Sequence, residues 1–421
     1  STLMRSSAAS DVYKRQIMNS KLLHTPVGVR DIYNDECYDK LLIQNRIHKI
    51  FKEYGYSDIQ TPTFEFFDIF NKERGSVASK NMYKFFDREG NTLVLRPDMT
   101  PSIARASAKY FMDEEMPIRL CYVGNAFINN SEYQGKLKEF TQIGSELLGD
   151  NTSDADAEVI AMVIESLLKA GLTEFQIEIG QPEFFKGIVE KAGLDTDTIE
   201  ELRELLENKK YFGVEDVLEK ANVPQEDREV FLKFQEFVGS IEMIKLAKTL
   251  NINDKSKAAL ERLEKLYSIL VIYGYEKYIS FDLSMLNMYQ YYTGIVFKGY
   301  TYGTGDAIVT GGRYDNLLGQ FGKDFAAIGF AVNLDQLMVA LERQHIKLGE
   351  RDNKKMILYG VENQREAINY TKTLRSENEC VMMVRKRSNH QMEDYISYAK
   401  RSNVSEIIII DGNGIEKKEI N

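Results

Sequence analysis

The sequence predicts an α+β fold followed by a small α/β domain. Apolar residues at helical spacing indicate a first helix, which Gly55 ends before an extended segment over residues 56–66. Residues 155–170 are typical of another helix, and residues 175–179 alternate between apolar and polar side chains as a strand does. The apolar residues of the first helix are Ile43, Ile47, Ile50 and Tyr54. Helices and strands therefore mix in the first half of the chain.

A change of composition divides the chain further. Residues 183–267 are rich in Glu and Lys, carry leucines at helical spacing and show almost no strand pattern, so we predict a helical insertion there. Strand patterning resumes at residues 279–283 and continues to about Phe297. Residues 345–355 are polar and indicate a linker. Beyond it, apolar runs separated by helical stretches predict a small α/β domain over residues 356–421.

Length and composition bound the kind of protein. With 421 residues, of which 43% are hydrophobic, the chain can form two or three domains with a sizeable core. The sequence has no run of about 18 apolar residues, so we predict no transmembrane helix. Its three cysteines, Cys37, Cys121 and Cys380, lie far apart, which indicates a reducing cytoplasm and predicts neither a disulfide framework nor a zinc site. The net charge of -10 argues against a broad basic surface that binds nucleic acid by electrostatic attraction.

The first residues differ from the rest. Residues 1–17 carry basic and small side chains without the apolar stretch of a signal peptide. The string DVYKRQ at residues 11–16 resembles translated adapter DNA from sequencing libraries. We therefore expect residues 1–17 to be a non-native leader, Met18 to be the native start, and the core domain to cover residues 18–345.

Five sequence blocks follow one another along the chain. They are residues 25–31 with 54–56 and 61–65, residues 82–85 with 95–100, residues 124–146, residues 286–297, and residues 311–315 with 329–337. In this order they resemble the motifs of the histidyl-tRNA synthetase family, a class II aminoacyl-tRNA synthetase family. The resemblance implies an antiparallel sheet flanked by helices, a dimer built through the first motif, and a C-terminal domain similar to a shortened anticodon-binding domain.

The resemblance also implies a pocket for histidine. Such a site must satisfy an ammonium group, a carboxylate and an imidazole with two distinct nitrogens. By resemblance, Asp98, Thr100 and Gln142 hold the α-amino group, while Glu146 and Tyr292 read the imidazole, and the complete histidine-binding set also includes Tyr291. Each of these residues alone is more often a surface or packing residue, but their joint order favours a pocket.

The cations that activate an amino acid with ATP are missing from the corresponding positions. The charge that develops on the α-phosphate needs fixed donors, and arginine supplies them as a planar fork. By resemblance, the arginine positions of the family are occupied here by Ile128, Asn287 and Gln336. Because the loss of each donor costs on the order of 10²- to 10³-fold in rate, we predict that the chain has no catalytic residues and no catalysis of its own.

A synthetase-like protein that has a histidine pocket but lacks the residues for ATP chemistry resembles the family of ATP phosphoribosyltransferase regulatory subunits. The resemblance implies a protein of histidine biosynthesis that supports a short catalytic subunit and senses histidine for allosteric feedback inhibition. It further implies a homodimer within a hetero-oligomer in the cytoplasm, with no cofactor, no metal ion and no membrane contact. The acidic charge disfavours tRNA as a partner.

Two other functions are compatible with the same sequence. A divergent histidyl-tRNA synthetase would be detected by an aminoacylation assay, although the missing arginines argue against it. A synthetase-like sensor of uncharged tRNA would be detected by a gel shift at moderate salt. A phosphate-binding glycine loop is not indicated, because Gly303, Gly305, Gly311 and Gly312 match neither the P-loop nor the dinucleotide fingerprint and are typical of strand turns.

Overall fold

The structure, a computed structural model, describes residues 23–71, 76–130, 136–286, 291–349 and 353–420. These residues divide between Lys347 and Leu348 into two compact units. The expected leader over residues 1–17 lies outside the described residues. In the described part of the chain, no helix is both long and apolar enough to cross a membrane.

The first unit contains runs of strands and runs of helices. Its strands are β1 (Ser57–Asp58), β2 (Phe64–Phe66), β3 (Lys84–Phe86), β4 (Thr92–Leu95), β5 (Ile118–Phe127), β6 (Glu139–Leu148), β7 (Phe175–Gly180), β8 (Val238–Gly239), β9 (Ile279–Asp282), β10 (Val296–Thr301), β11 (Val309–Arg313) and β12 (Ala327–Asn333). Its α-helices are α1 (Asn34–Glu53), α2 (Thr100–Tyr110), α3 (Ser153–Ala170), α4 (Pro182–Ala192), α5 (Thr196–Glu207), α6 (Tyr211–Lys220), α7 (Gln225–Leu232), α8 (Glu242–Lys248), α9 (Asp254–Ile272) and α10 (Leu334–Arg343).

A large sheet organises this unit, with the strand order β1-β5-β6-β12-β11-β10-β7-β9-β8. Most neighbours are antiparallel, but β1 pairs parallel with β5 and β7 pairs parallel with β9. Parallel neighbours need a long crossover connection, and the helices from α4 to α9 form that connection between β7 and β9. The predicted α+β class is confirmed, and its sheet is mixed where a purely antiparallel one was expected.

The predicted strand between residues 283 and 297 is wrong at residues 283–286 and 291–295, and its residues 287–290 lie outside the described residues. Strand β9 ends at Asp282 and β10 begins only at Val296. Tyr291 and Tyr292 precede β10, and their rings contact each other with centroids 5.0 Å apart. Adjacent side chains of a strand point to opposite faces. Contact between two adjacent rings is therefore compatible with an irregular segment and not with a regular strand.

Helix α3 lies in the core of the first unit. The Thr152 hydroxyl accepts a hydrogen bond from the Ala155 backbone N–H and begins the helix, and Gly171 ends it with a φ of 104°, a conformation that favours glycine. Most of its side chains are buried, and it contacts α1, α9 and β12. A helix that is apolar on nearly all faces is typical of a protein interior. Helix α3 therefore packs between the sheet and the other helices that it contacts.

The second unit is an α/β sandwich. Its elements are β13 (Lys354–Tyr359), α11 (Gln364–Ser376), β14 (Cys380–Arg385), α12 (Met392–Arg401), β15 (Val404–Asp411) and β16 (Gly414–Glu419). The sheet order is β14-β13-β15-β16, and only the last pair is antiparallel. Ile408 packs with α11 residues on one face, while Ile407 and Ile409 pack with α12 residues on the other. An uninterrupted run of isoleucines suits a strand covered on both faces.

Candidate functional site

A polar pocket lies against the middle of the large sheet. Asp98 and Thr100 approach it where β4 leads into α2, Gln142 and Glu146 project from β6, and two tyrosines arrive from the segment before β10. The residues that line the pocket are Asp98, Thr100, Gln142, Tyr291, Tyr292, Thr310, Tyr314, Gly329, Phe330 and Ala331. Five of the six residues expected to bind histidine thus share one lining, and the sixth, Glu146, lies directly behind it.

Strand β6 aims two of the pocket residues in the same direction. Gln142 and Glu146 are four positions apart, and residues at even spacing on a strand share a face. Gly144 lies between them on that face. A Cβ atom there would come within 2.1 Å of the Phe330 carbonyl oxygen and 2.6 Å of the Tyr122 hydroxyl. The glycine therefore keeps the neighbouring strand and ring close enough to complete the pocket wall.

Glu146 is almost fully buried, with 1% of its surface exposed. The Thr100 hydroxyl donates a hydrogen bond of 2.8 Å to its Oε1 atom, and the Tyr314 hydroxyl donates one of 2.5 Å to its Oε2 atom. A Cβ atom at Gly329 would lie 1.6 Å from Oε2, so only glycine leaves room for this carboxyl group. Burial raises the pKa of Glu146 to about 8, against the opposing effect of the two hydroxyl donors.

Asp98 is the second buried acid of the pocket. It accepts a hydrogen bond of 2.9 Å from the Tyr291 hydroxyl and one of 2.7 Å from the Met99 backbone N–H. Burial raises its pKa, while the Tyr291 hydrogen bond works in the opposite direction. Both acids thus have a raised affinity for protons, which a bound cation would reverse because an opposite charge favours ionisation.

Gln142 contributes an acceptor that the described residues leave unused. Its Oε1 atom is buried and has no hydrogen-bond partner within the described ranges. A buried polar atom without a partner costs about 1–3 kcal/mol. In a pocket that also holds two acids, such an oxygen is suited to a ligand that donates hydrogen bonds, such as an ammonium group.

The pocket is small and shares part of its lining with a larger cavity. Its free volume is about 10 Å³, close to the space of one water molecule. The adjoining cavity measures about 150 Å³, shares Asp98, Gln142, Thr310 and Ala331 with the pocket, and is also lined by Ile128. An imidazole ring therefore enters only if side chains of the pocket move apart.

The two described positions among the three expected to have lost arginine line different cavities. Ile128 lies in the wall of the adjoining cavity, next to the acids. Gln336 lies in the first turn of α10. It lines a different cavity of about 800 Å³, together with Arg30, Lys136 and Arg343. Asn287 lies outside the described residues. Among the described lining residues of the pocket and its adjoining cavity there is no Lys or Arg.

Five lining residues were absent from the expected histidine-binding set, and two of them, Thr310 and Tyr314, have polar side chains. Tyr314 binds Glu146, and Thr310 lines both the pocket and the adjoining cavity. Tyr314 belongs to the GGRYD block, whose order along the chain could have assigned it to the site. Thr310 carried no comparable signal, because a lone threonine in a strand is ordinary.

One group of side chains outside the pocket has the residue types of a metal site. His48, Asp58 and Cys121 place one possible ligand atom each within 4.8 Å of the others. Spacing along the chain gave no sign of this proximity, because the three residues come from α1, β1 and β5. Both oxygens of Asp58 already accept hydrogen bonds, one from His48 at 2.5 Å and the other from Lys52 at 3.1 Å. These contacts lower the pKa of Asp58 to about 2 and account for the cluster without a cation.

The sequence matches known families over most of its length. The family model of histidyl-tRNA synthetase covers residues 28–337. Proteins named ATP phosphoribosyltransferase regulatory subunit are similar in sequence. The one from Acetivibrio thermocellus is 41% identical over 359 residues, which cover 85% of this chain and 86% of the relative. The one from Clostridium novyi is 39% identical over 393 residues, 92% of each chain.

Solved structures agree with the sequence matches. A Bacillus halodurans protein described as an ATP phosphoribosyltransferase regulatory subunit/histidyl-tRNA synthetase superposes with a TM-score of 0.82 at 33% identity, over 92% of this chain and 97% of that one. Histidyl-tRNA synthetase from Nostoc sp. PCC 7120 superposes with a TM-score of 0.78 at 19% identity, over 94% of each chain, which shows the shared fold. The chain therefore belongs to the family of ATP phosphoribosyltransferase regulatory subunits, which has the histidyl-tRNA synthetase fold.

Proposed function

We propose that this chain is the non-catalytic regulatory subunit that pairs with a short-form catalytic subunit of ATP phosphoribosyltransferase and carries feedback inhibition by histidine to it. In this proposal the chain acts in the cytoplasm as a homodimer within a hetero-oligomer, and it neither activates histidine nor binds tRNA. Family membership supports the pairing with a catalytic subunit. The pocket supports the role of histidine.

The observation that carries the proposal is the contrast between the pocket and its adjoining cavity. The polar groups that suit an amine and an imidazole converge in the pocket, with Asp98 and Glu146 both buried. The adjoining cavity has Ile128 where ATP chemistry would need a cation. This arrangement is suited to holding an amino acid and unsuited to activating it.

The ligand is oriented by the acids in this proposal. The ammonium group of histidine lies near Asp98, Thr100 and Gln142, where the unused Oε1 atom accepts one of its hydrogens. The imidazole lies between Glu146 and Tyr292. Because the free volume is about 10 Å³, the bound state differs from the one described here by side-chain movement. Histidine thereby favours one conformation over the other, which is the requirement for an allosteric effector.

The experiment reconstitutes the chain with a short-form catalytic subunit. The two proteins should co-purify, and histidine should inhibit ATP phosphoribosyltransferase activity in the complex. Glu146→Gln should raise the histidine concentration needed for half inhibition. Glu174→Gln is the matched control, because Glu174 is exposed and distant in sequence from the pocket residues. Absence of a complex would contradict the pairing, and an unchanged half-inhibition value in Glu146→Gln would place the histidine sensor elsewhere.

A further inference from the structure

A second polar cavity lies on the same face of the large sheet as the pocket. Its free volume is about 250 Å³, and it shares no described lining residue with the pocket or the adjoining cavity. Lys298 of β10 lines it and lies directly opposite Thr310 of β11, and residues directly opposite each other in a sheet share a face. Its lining consists of Glu178, Glu207, Lys209, Asp282, Ser284, Met285, Leu286, Lys298 and Tyr300. It therefore lies between the sheet and the helices inserted between β7 and β9.

Asp282 is the most deeply buried acid of this cavity, with 4% of its surface exposed. The backbone N–H and the hydroxyl of Ser284 both donate hydrogen bonds to its Oδ1 atom. Its Oδ2 atom accepts no hydrogen bond within the described residues, and the ammonium group of Lys209 lies 3.8 Å from it. A buried carboxylate is disfavoured unless donors or cations compensate its charge. The Oδ2 atom is therefore suited to accept a hydrogen bond from a cationic ligand.

Glu178 and Lys298 lie directly opposite each other on β7 and β10, yet their side chains do not form an ion pair. Within the described residues, neither side chain takes part in a hydrogen bond. Burial and the neighbouring Asp282 raise the pKa of Glu178, against the opposing effect of two lysines. The cavity thus contains a carboxyl group and an ammonium group that no described residue neutralises by direct contact.

The other lining residues add a hydroxyl group and an apolar wall. Tyr300 follows Lys298 by two positions on β10, so the two side chains share a face. Met285 and Leu286 supply the apolar part of the lining. A ligand with both charges satisfies Oδ2 of Asp282 through an ammonium group and Lys298 through a carboxylate, which a ligand with one charge cannot do. The free volume is below the range of about 300–1,000 Å³ that is usual for drug-sized ligands, which favours a small molecule.

We propose that this cavity is a second ligand site, which binds an apolar α-amino acid of the size of leucine as a zwitterion. Its ammonium group binds Asp282 and Glu178, and its carboxylate binds Lys298. Its side chain packs on Met285 and Leu286. Histidine in the other pocket is not required for this ligand, because the two sites share no described lining residue.

Calorimetry on the full chain tests the ligand class with leucine and two analogues. The first, 4-methylpentanoate, keeps the carboxylate and the side chain of leucine but lacks the amine. The second, 3-methylbutylamine, keeps the amine and the side chain but lacks the carboxylate. Leucine should bind, and each analogue should bind at least about tenfold more weakly, because one charge-assisted interaction is lost. Absence of leucine binding at millimolar concentrations, or an analogue that binds as tightly as leucine, would overturn the proposal.

Two variants test the location of the site. Lys298→Met and Glu178→Gln should each weaken leucine binding at least about tenfold. Lys169→Met is the matched control for the lysine, because Lys169 is exposed at the end of α3, and it should bind leucine as the wild type does. Thermal unfolding of each variant confirms that it is folded. Unchanged leucine binding in either cavity variant would contradict the location, and equal losses of leucine and histidine binding would indicate one shared site and overturn the proposal.

Discussion

Tyr314 and Glu146 are 168 residues apart in the sequence and joined by a hydrogen bond of 2.5 Å between the phenol hydroxyl and Oε2. Burial and the neighbouring Glu146 raise the pKa of Tyr314, so the phenol keeps its proton and acts as the donor. The contact fixes one side of the carboxyl group while Thr100 fixes the other. The orientation of Glu146 in the pocket is therefore set by two donors from different parts of the chain.

Tyr314→Phe should destabilise the protein by about 1–3 kcal/mol, because it leaves Oε2 of Glu146 buried with one donor fewer. The free energy of unfolding in a denaturant titration measures this loss. Tyr302→Phe is the matched control, since Tyr302 is 81% exposed and the same hydroxyl is removed. Equal stabilities of the two variants would show that the hydrogen bond contributes nothing net.

The stability of the protein should depend on pH through Glu146. Its pKa is about 8 in the folded protein and near its ordinary value of 4.5 in the unfolded chain, so the folded state binds the extra proton between these values. The contribution of Glu146 is therefore fully present below about pH 4.5 and is lost as the pH rises through about 8, with a slope of about 1.4 kcal/mol per pH unit. Glu146→Gln removes this contribution. Unfolding curves of wild type and variant across this window should diverge, and parallel curves would contradict the raised pKa.

Asp156→Asn should be among the most destabilising single changes in the first unit. Asp156 is fully buried and accepts from Arg313 at 2.6 Å on one oxygen and from Arg262 of α9 at 2.8 Å on the other. Removing the charge takes away the closest ionic partner of the buried Arg313 and leaves it the longer ion pair with Asp315 at 3.1 Å, a loss of about 3–5 kcal/mol. Chemical denaturation measures it against Asp113→Asn, an exposed position. A loss below about 1 kcal/mol would show that the ion pair with Asp315 is sufficient for Arg313.

The chain should not activate histidine or charge tRNA, because Ile128 and Gln336 carry no cation for the phosphate and Asn287 carries none either. Histidine-dependent exchange between ATP and pyrophosphate is the sensitive assay, with a histidyl-tRNA synthetase as the positive control. Exchange clearly above the level without protein would contradict the prediction. Ile128→Arg alone should not create exchange, because the other two positions remain uncharged.

Local patterns predicted the elements well where spacing decides the structure. Ile43, Ile47 and Ile50 lie on α1, which ends one residue before Tyr54, and the alternation at residues 175–179 lies on β7. Strand β16 gave no such signal, because its residues are exposed and mostly polar and its pairing with β15 determines its conformation. The segment before β10 was predicted as a strand because the strand pattern that resumes at residues 279–283 was extended to about Phe297, but its tyrosine rings pair with each other.

The pocket was predictable only through the order of the sequence blocks. No local rule connects Asp98 with Tyr291, which are 193 residues apart and joined by a hydrogen bond of 2.9 Å. Order along the chain assembled the expected set, but it could not show that Glu146 lies behind the lining or that the free volume is small. Those properties depend on packing, including the absence of a side chain at Gly329.

Calorimetric titration of histidine into the wild type and Glu146→Gln tests the central claim most directly. At pH 8 the account predicts that the wild type binds histidine and that the variant binds it about 10- to 100-fold more weakly, because a hydrogen bond to a charged group contributes about 1.5–3 kcal/mol. Glu174→Gln should bind as the wild type does. Equal affinities in the wild type and Glu146→Gln, or no binding in the wild type, would contradict the claim that this pocket reads histidine.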